Sequence, residues 1–195
     1  MAAYIFYGKA GSGKGTQALK LKEFLESQGK SVIYIETGSM IRQYMDPNET
    51  FTQKRTNDIM NAGELMPPFF PIWMWSDALI KTYTGAEDII FDGVGRRLEE
   101  GHIFDSALNF FQISKRHVFH IHITDQTAIE RLQIRGQGRA DDTDVSKIQN
   151  RLDWYRENVI PTIEYFQSNP DYHCSEINGE ESVDGVWGQI KEVLS

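Results

Sequence analysis

Nine consecutive residues, Gly8-Lys9-Ala10-Gly11-Ser12-Gly13-Lys14-Gly15-Thr16, have the types and spacing of a phosphate cradle. Glycines arranged this way let successive backbone N–H groups converge on an anion. The lysine can then reach the β- and γ-phosphates of a nucleoside triphosphate. Such a loop needs a strand before it and a helix after it. Ala3-Tyr4-Ile5-Phe6-Tyr7 is a short apolar run that reads as a buried strand. Beyond the loop, Ala18, Leu19, Leu21, Phe24 and Leu25 recur at helical spacing with Lys and Glu between them. The N-terminus of that helix adds the positive end of its dipole. Gly15 stands where the general phosphate-loop pattern has Ser or Thr, and Thr16 follows. A ligand-free turn is the structural alternative, and the bracketing glycines, the lysine and both flanks weigh against it.

The elements that must hold this loop are readable along the chain. With 195 residues, 40% of them hydrophobic, one good core can be buried. A net charge of −8 and a pI near 5.1 argue against nucleic-acid or membrane-surface partners. No apolar run approaches the ~20 residues of a membrane-spanning helix, and the N-terminus has no leader pattern. The single cysteine, Cys174, excludes an internal disulfide framework and fits a reducing cytoplasm.

Five strands are expected: 3–7, Val32–Ile35, Asp88–Asp92, His117–Ile123 and Tyr172–Ile177. Helices are expected over 51–62, 69–84, 126–135, 144–167 and 182–194. Strands interleaved with helices predict a doubly wound α/β fold, a five-stranded parallel sheet with helices on both faces and ligands at the carboxyl ends of the strands. In the aromatic helix, Phe69, Phe70, Ile72, Trp73, Trp75 and Leu79 read as core or cleft wall. His120 and His122, with His117 before them, read as strand-face histidines rather than metal ligands. Arg55, Arg97, Arg116 and Arg156 read as solvated surface arginines.

The run Gly11-Ser12-Gly13-Lys14-Gly15-Thr16-Gln17 is narrower than the general phosphate loop. It resembles the nucleoside-monophosphate kinases, adenylate kinases most closely. Thr37-Gly38-Ser39-Met40-Ile41-Arg42 resembles the element that opens that family's monophosphate-binding arm, and Gly63-Glu64-Leu65-Met66-Pro67 its far end. Asp92-Gly93-Val94-Gly95-Arg96 sits where the family has Asp-Gly-Phe/Tyr-Pro-Arg. Arg131, Arg135, Arg139-Ala140-Asp141-Asp142 and Arg151-Leu152 resemble the lid and its flanking helices. The order and spacing hold from residue 4 to about 190.

The resemblance implies a single P-loop kinase domain. Its core would be 1–37, 68–135 and 143–195, with a helical monophosphate-binding arm at 38–67 and a short lid at 136–142. It implies that Gly11, Ser12, Gly13, Lys14, Gly15 and Thr16 hold ATP, with Arg135 on the triphosphate, Arg131 over its adenine and Glu181 contacting that base by its backbone. Thr37, Arg42, Glu64, Leu65, Met66, Gly93, Arg96 and Glu100 would hold AMP. Arg139 and Arg151 would grip the transferring and accepting groups, so that Lys14, Arg96, Arg139 and Arg151 form the catalytic set. Asp92 would act on Mg²⁺ through its waters. Small nucleotides are the implied partners of a cytoplasmic monomer. Phosphoryl transfer spreads negative charge over equatorial oxygens, so a set of fixed cations suits the chemistry better than a general base. Arginine is always charged and grips phosphate with two N–H groups.

Several positions depart from the family pattern. Ala10 replaces proline in the loop. Val94-Gly95 replaces an aromatic–proline pair that is cis in relatives; a non-proline cis bond costs about 2.5–4 kcal/mol, so a trans Val94–Gly95 bond is expected, with Gly95 absorbing the change. Ser39 replaces an Asp. The short lid has no cysteine quartet, so no structural zinc is expected. Glu100 replaces the glutamine that reads the monophosphate base. A carboxylate only accepts hydrogen bonds, which suits the adjacent N–H donors of guanine better than adenine N1. A GMP kinase, a non-catalytic nucleotide sensor and an NTPase switch therefore stand beside the reading as an ATP:AMP phosphotransferase.

Overall fold

The computed structural model describes residues 1–45, 50–135 and 144–195. Five strands, β1 (Ala2–Gly8), β2 (Val32–Glu36), β3 (Asp88–Asp92), β4 (Lys115–His122) and β5 (Tyr172–Asn178), form one parallel sheet in the order β2-β3-β1-β4-β5. The sheet is covered on both faces, which is why β1, β2 and β3 carry continuous apolar segments, while β4 and the edge strand β5 keep polar residues.

Side chains alternate across each strand and so feed two cores. Ile5, Tyr7, Ile89, Phe91 and Val118 pack against Trp75 and Leu79 of α4 (Phe69–Thr82), Phe104 and Leu108 of α5 (Leu98–Phe110), and Ile163 and Phe166 of α8 (Ile160–Ser168). Tyr4, Phe6, Ile90, Phe119, Ile121 and Ile177 pack on the other face against Leu21 and Leu25 of α1 (Lys14–Ser27) and Val186 and Ile190 of α9 (Val183–Leu194). After β1 the chain leaves toward one face as α1, and after the adjacent β3 it leaves toward the other as α5. A crevice opens between the carboxyl ends of β1 and β3, the place where doubly wound sheets bind ligands.

Around that crevice lie α2 (Thr37–Tyr44), α3 (Phe51–Asn61), α6 (Asp125–Arg135) and α7 (Val145–Trp154). The start of α3 is fixed by a capping box in which Thr50 and Gln53 satisfy each other's backbone N–H groups. A small third core ties α6 to α7 through Ala128, Leu132, Ile148 and Leu152.

Three expectations need correction. The helix expected over 144–167 is broken by a π-helical turn at Tyr155–Val159. Pro161, in the first turn of α8, has no N–H to close the ordinary bond and its ring crowds the preceding turn. In α4, Phe70, Trp75 and Leu79 are buried, but Phe69 and Trp73 are 68% and 48% exposed, so they are not core. Arg116 is not a solvated arginine: it lies in β4 and is buried, its guanidinium on Asp105 at 2.9 Å and on the Ile113 carbonyl at 2.7 Å. Arg97 is half-buried at the N-cap of α5, while Arg55 and Arg156 are exposed as expected. His120 bonds Tyr155 at 2.6 Å and Glu176 at 2.8 Å, and His117 stacks on Tyr4.

Candidate active site

The phosphate loop leaves β1 at Gly8 and turns into α1 at Lys14. Gly13 adopts φ +91°, which a side chain would oppose, and α1 begins with no side-chain cap. Its first N–H groups are thus offered to a ligand. The Lys14 ammonium is anchored on the carbonyls of Gly8 and Lys9, both at 2.8 Å. Lys9 in turn reaches the Ile123 carbonyl at 2.7 Å and Asp125 at 2.6 Å, which ties the loop to the start of α6.

Gly15 explains the departure from the general loop pattern. A Cβ there would stand 3.2 Å from Asp92 Oδ2, so a Ser or Thr side chain would crowd the carboxylate that ends β3. Asp92 itself is buried, and Tyr34 donates to its Oδ2 at 3.4 Å. Burial, and after it the Asp92 charge, push the Tyr34 hydroxyl well above its usual range, so it stays a donor.

These groups border a cavity of about 410 Å³. Gly11, Gly13, Lys14, Gly15 and Thr16 form one wall. Thr37, Gly38, Arg42, Glu64, Leu65 and Met66 line it as well, together with Asp92, Gly93, Arg96 and Glu100. Arg151 and Trp154 close it from α7. Residues from five separate stretches of the chain are brought together here.

Among the described residues, the lining carries four basic side chains, Lys14, Arg42, Arg96 and Arg151, and four acidic ones, Glu36, Glu64, Asp92 and Glu100. Arg96 Nε donates to the Gly93 carbonyl at 3.0 Å. A Cβ on Gly38 would stand 3.2 Å from Arg42 Nη1 and 3.6 Å from Arg96 Nη2, so two guanidinium groups converge on the first turn of α2. Arg42 is also paired with Glu36 at 2.8 Å. Burial pushes Arg96 below the usual guanidinium range; Glu100 and Asp92 oppose this, while Arg151 and Arg42 add to it. A cluster of like charges in a cleft is relieved by an anion carrying several charges.

The Val94–Gly95 bond is trans, and Gly95 takes φ +64°, as expected from the missing proline. The Gly95 carbonyl accepts from Tyr7 Oη at 3.1 Å, which fixes the turn ahead of Arg96. Glu100 is buried, and its Oε2 accepts the Arg96 N–H at 3.0 Å. Burial raises its pKa to about 6, against the lowering effect of that bond and of Arg96.

Ser12 is buried inside the loop rather than on the cavity wall, its Oγ without a partner among the described residues. Thr37 Oγ1 is likewise enclosed and unpartnered. Arg131 sits half-buried on α6 with Glu180 in its field, and Glu181 is exposed ahead of α9. Neither is among the cavity's lining residues. The Arg135 side chain, Arg139 and the expected lid 136–142 lie outside the described residues. Tyr34, Glu36 and Trp154 line the cavity without having been singled out from the sequence. Tyr34 and Trp154 make their contacts with residues distant along the chain, whereas Glu36 pairs with the nearby Arg42.

Comparison with known proteins agrees with this geometry. The family model described as adenylate kinase matches residues 6–170. The chain belongs to the adenylate kinase family. The adenylate kinase of Flavobacterium johnsoniae is 30% identical over 196 residues, covering 100% of this chain and 98% of its own. That of Prochlorococcus marinus is 34% identical over 163 residues, 84% of this chain and 83% of its own. The adenylate kinase of Flavobacterium psychrophilum is 29% identical over 197 residues, 100% and 99% of the two chains. Among the described residues, no helix is long and apolar enough to cross a membrane.

An adenylate kinase takes its triphosphate with Mg²⁺, and the donor set fits that ion. Mg²⁺ keeps several waters and is held by one or two carboxylates plus substrate phosphates. Asp92, buried beside Gly15 and the loop, would supply one such carboxylate.

Proposed function

We propose that this chain transfers the γ-phosphoryl group of Mg-ATP to AMP, giving two ADP. The observation that carries the reading is that one cavity is lined both by a glycine phosphate loop and by Arg42, Arg96 and Arg151. A phosphate loop alone serves hydrolysis equally well, whereas a second set of cations suits a second phosphate substrate.

In this reading the loop N–H groups and Lys14 hold the β- and γ-phosphates, with Gly11, Ser12, Gly13, Gly15 and Thr16 shaping the cradle. Arg42 and Arg96 hold the acceptor's phosphate, and Gly93, Thr37 and the 64–66 backbone bound the space for its ribose and base. An oxygen of the acceptor phosphate attacks the γ-phosphorus as the bond to the β–γ bridging oxygen breaks, and Arg151 neutralises charge that spreads over the equatorial oxygens. The acceptor oxygen is already anionic, so no general base is required. Mg²⁺ bound with the triphosphate supplies further neutralisation, and Asp92 holds it through water. Arg131, Arg135 and Glu181 are assigned to the ATP side, and Arg139 to the transferring group, by family resemblance.

The segment 38–67 acts as the acceptor arm and 136–142 as the lid, closing over both nucleotides to exclude water. Action as a monomer is assigned by family resemblance. With Cys174 as its one cysteine the chain forms no internal disulfide, which fits a cytoplasmic setting.

The test is transfer from Mg-ATP to AMP, GMP, CMP and UMP measured in parallel. AMP is expected to be the best acceptor. Absence of transfer to any of them would favour a nucleotide sensor, and ATP hydrolysis indifferent to AMP would favour an NTPase.

A further inference from the structure

Trp154 stands where three segments of the cavity meet. It is the last residue of α7, three positions after Arg151 and immediately before the π-helical turn. Its indole N–H donates to the Gly63 carbonyl at 3.1 Å. Its ring lies beside the Arg96 guanidinium, 5.8 Å from carbon to centroid.

Both partners matter to the acceptor side. Gly63 opens the run 63–66 that walls the cavity, and it adopts φ +73°. A Cβ on Gly63 would meet Lys147 Cβ and the Lys147 carbonyl at 3.3 Å, so the turn rests directly on α7. The Arg96 backbone and Nε are each held by a hydrogen bond, to Glu100 and to Gly93. The Trp154 ring supplies a third constraint, on the guanidinium face.

An indole joins two properties that no other side chain combines: a wide π face for a cation and an edge N–H for a carbonyl. Phenylalanine would keep the face and lose the donor, leaving the Gly63 carbonyl without this partner.

We propose that Trp154 is a positioning residue that couples acceptor binding to the seating of Arg151, because its indole fastens the 63–66 turn and Arg96 to α7. A monophosphate that orders the 63–66 turn and Arg96 thereby orders the helix carrying Arg151. A triphosphate that engages Arg151 in turn prepares the acceptor wall, as reciprocity of coupling requires. This inference rests on the acceptor reading proposed above.

The experiment uses the full chain as wild type, Trp154→Phe and Trp154→Ala. KM for AMP and for ATP, kcat, and the AMP dissociation constant with and without a non-hydrolysable ATP analogue are measured. Wild type is expected to bind AMP more tightly when the analogue is present. Trp154→Phe should raise KM for AMP about tenfold, raise KM for ATP in saturating AMP by no more than the lost coupling factor, and abolish most of the coupling. Trp154→Ala, which also loses the ring beside Arg96, should lower kcat as well. An unchanged KM for AMP, or unchanged coupling in Trp154→Phe, would overturn the proposal. A wild type that transfers to no monophosphate would overturn the acceptor reading instead. If the variants do not fold, ¹⁵N-tryptophan spectra of the wild type decide. The Trp154 indole N–H is expected to shift on addition of AMP and also of the ATP analogue alone. Indifference to the analogue counts against the coupling.

Discussion

Glu100 and Arg96 are joined by a hydrogen bond from the Arg96 backbone N–H to Glu100 Oε2 at 3.0 Å, so the carboxylate lining the cavity also fixes the turn that presents the guanidinium. One side chain thus serves both the fold and the site. Its burial raises its pKa from 4.5 to about 6. The raised value means the folded state holds a proton that the unfolded state has released. Stability tied to this group is full below pH 4.5 and is lost as pH rises through 6.

Glu100→Gln removes that titration while keeping an oxygen for the Arg96 N–H. The stability of the variant relative to wild type should therefore rise by about 2 kcal/mol between pH 4.5 and pH 7.5. Urea unfolding across that range measures it, and a difference independent of pH would contradict the assignment. On the acceptor side, the amide can both donate and accept, so the AMP-to-GMP rate ratio should increase severalfold in the same variant.

Gly38→Ala separates site geometry from stability. A Cβ there would press on Arg42 Nη1 at 3.2 Å and lie close to Arg96 Nη2. Gly38 is inside α2, where alanine is a better helix former by roughly 0.5–1 kcal/mol. The melting temperature should hold or rise, while KM for the monophosphate increases roughly three- to tenfold. A variant with unchanged KM would show that the two guanidinium groups do not act on the acceptor.

Asp105→Ala tests the pair that fixes α5 to the sheet. Arg116 is enclosed, and Asp105 also accepts from Tyr172 at 2.7 Å and Tyr165 at 3.3 Å. Removing the carboxylate leaves a buried guanidinium without its counter-charge, which costs about 3–5 kcal/mol. Denaturant unfolding should register this loss, with kcat at a permissive temperature nearly unchanged. A loss below about 1 kcal/mol would mean that solvent replaces the carboxylate.

How far the sequence exposes all this depends on how local each signal is. The strand, loop and helix from Ala2 to Ser27 are contiguous, and their glycines, lysine and apolar periods can be read within one window. The strands β1, β2 and β3 are legible because burial on both faces leaves continuous apolar segments in them. Arg116 reads as solvated although its partners Asp105, Asn109 and Ile113 lie within 11 residues, because what encloses it is β4's place in the sheet and the Tyr172 ring, 56 positions on. Trp154 escaped notice for the same reason: its acceptor lies 91 residues away in the chain. The π-helical turn carried a local sign, Pro161, inside an amphipathic pattern that continued through it. Arg131 and Glu181 were matched by family order, which fixes a position along the chain and not an approach to the cavity.

Asp92→Asn addresses the metal. Asp92 ends β3 beside Gly15, with Tyr34 held protonated as its donor. The amide keeps shape and can still accept from Tyr34, so the fold should be preserved. What disappears is one negative charge next to the triphosphate. Contact through water lies in a high-dielectric regime, where a unit charge contributes about 1–2 kcal/mol. The Mg²⁺ concentration giving half-maximal transfer should accordingly rise about tenfold, with KM for AMP little changed. Titration of activity with Mg²⁺ at fixed ATP measures this shift. An unaltered Mg²⁺ requirement would assign Asp92 to anchoring the loop through Gly15 and Tyr34 rather than to the ion.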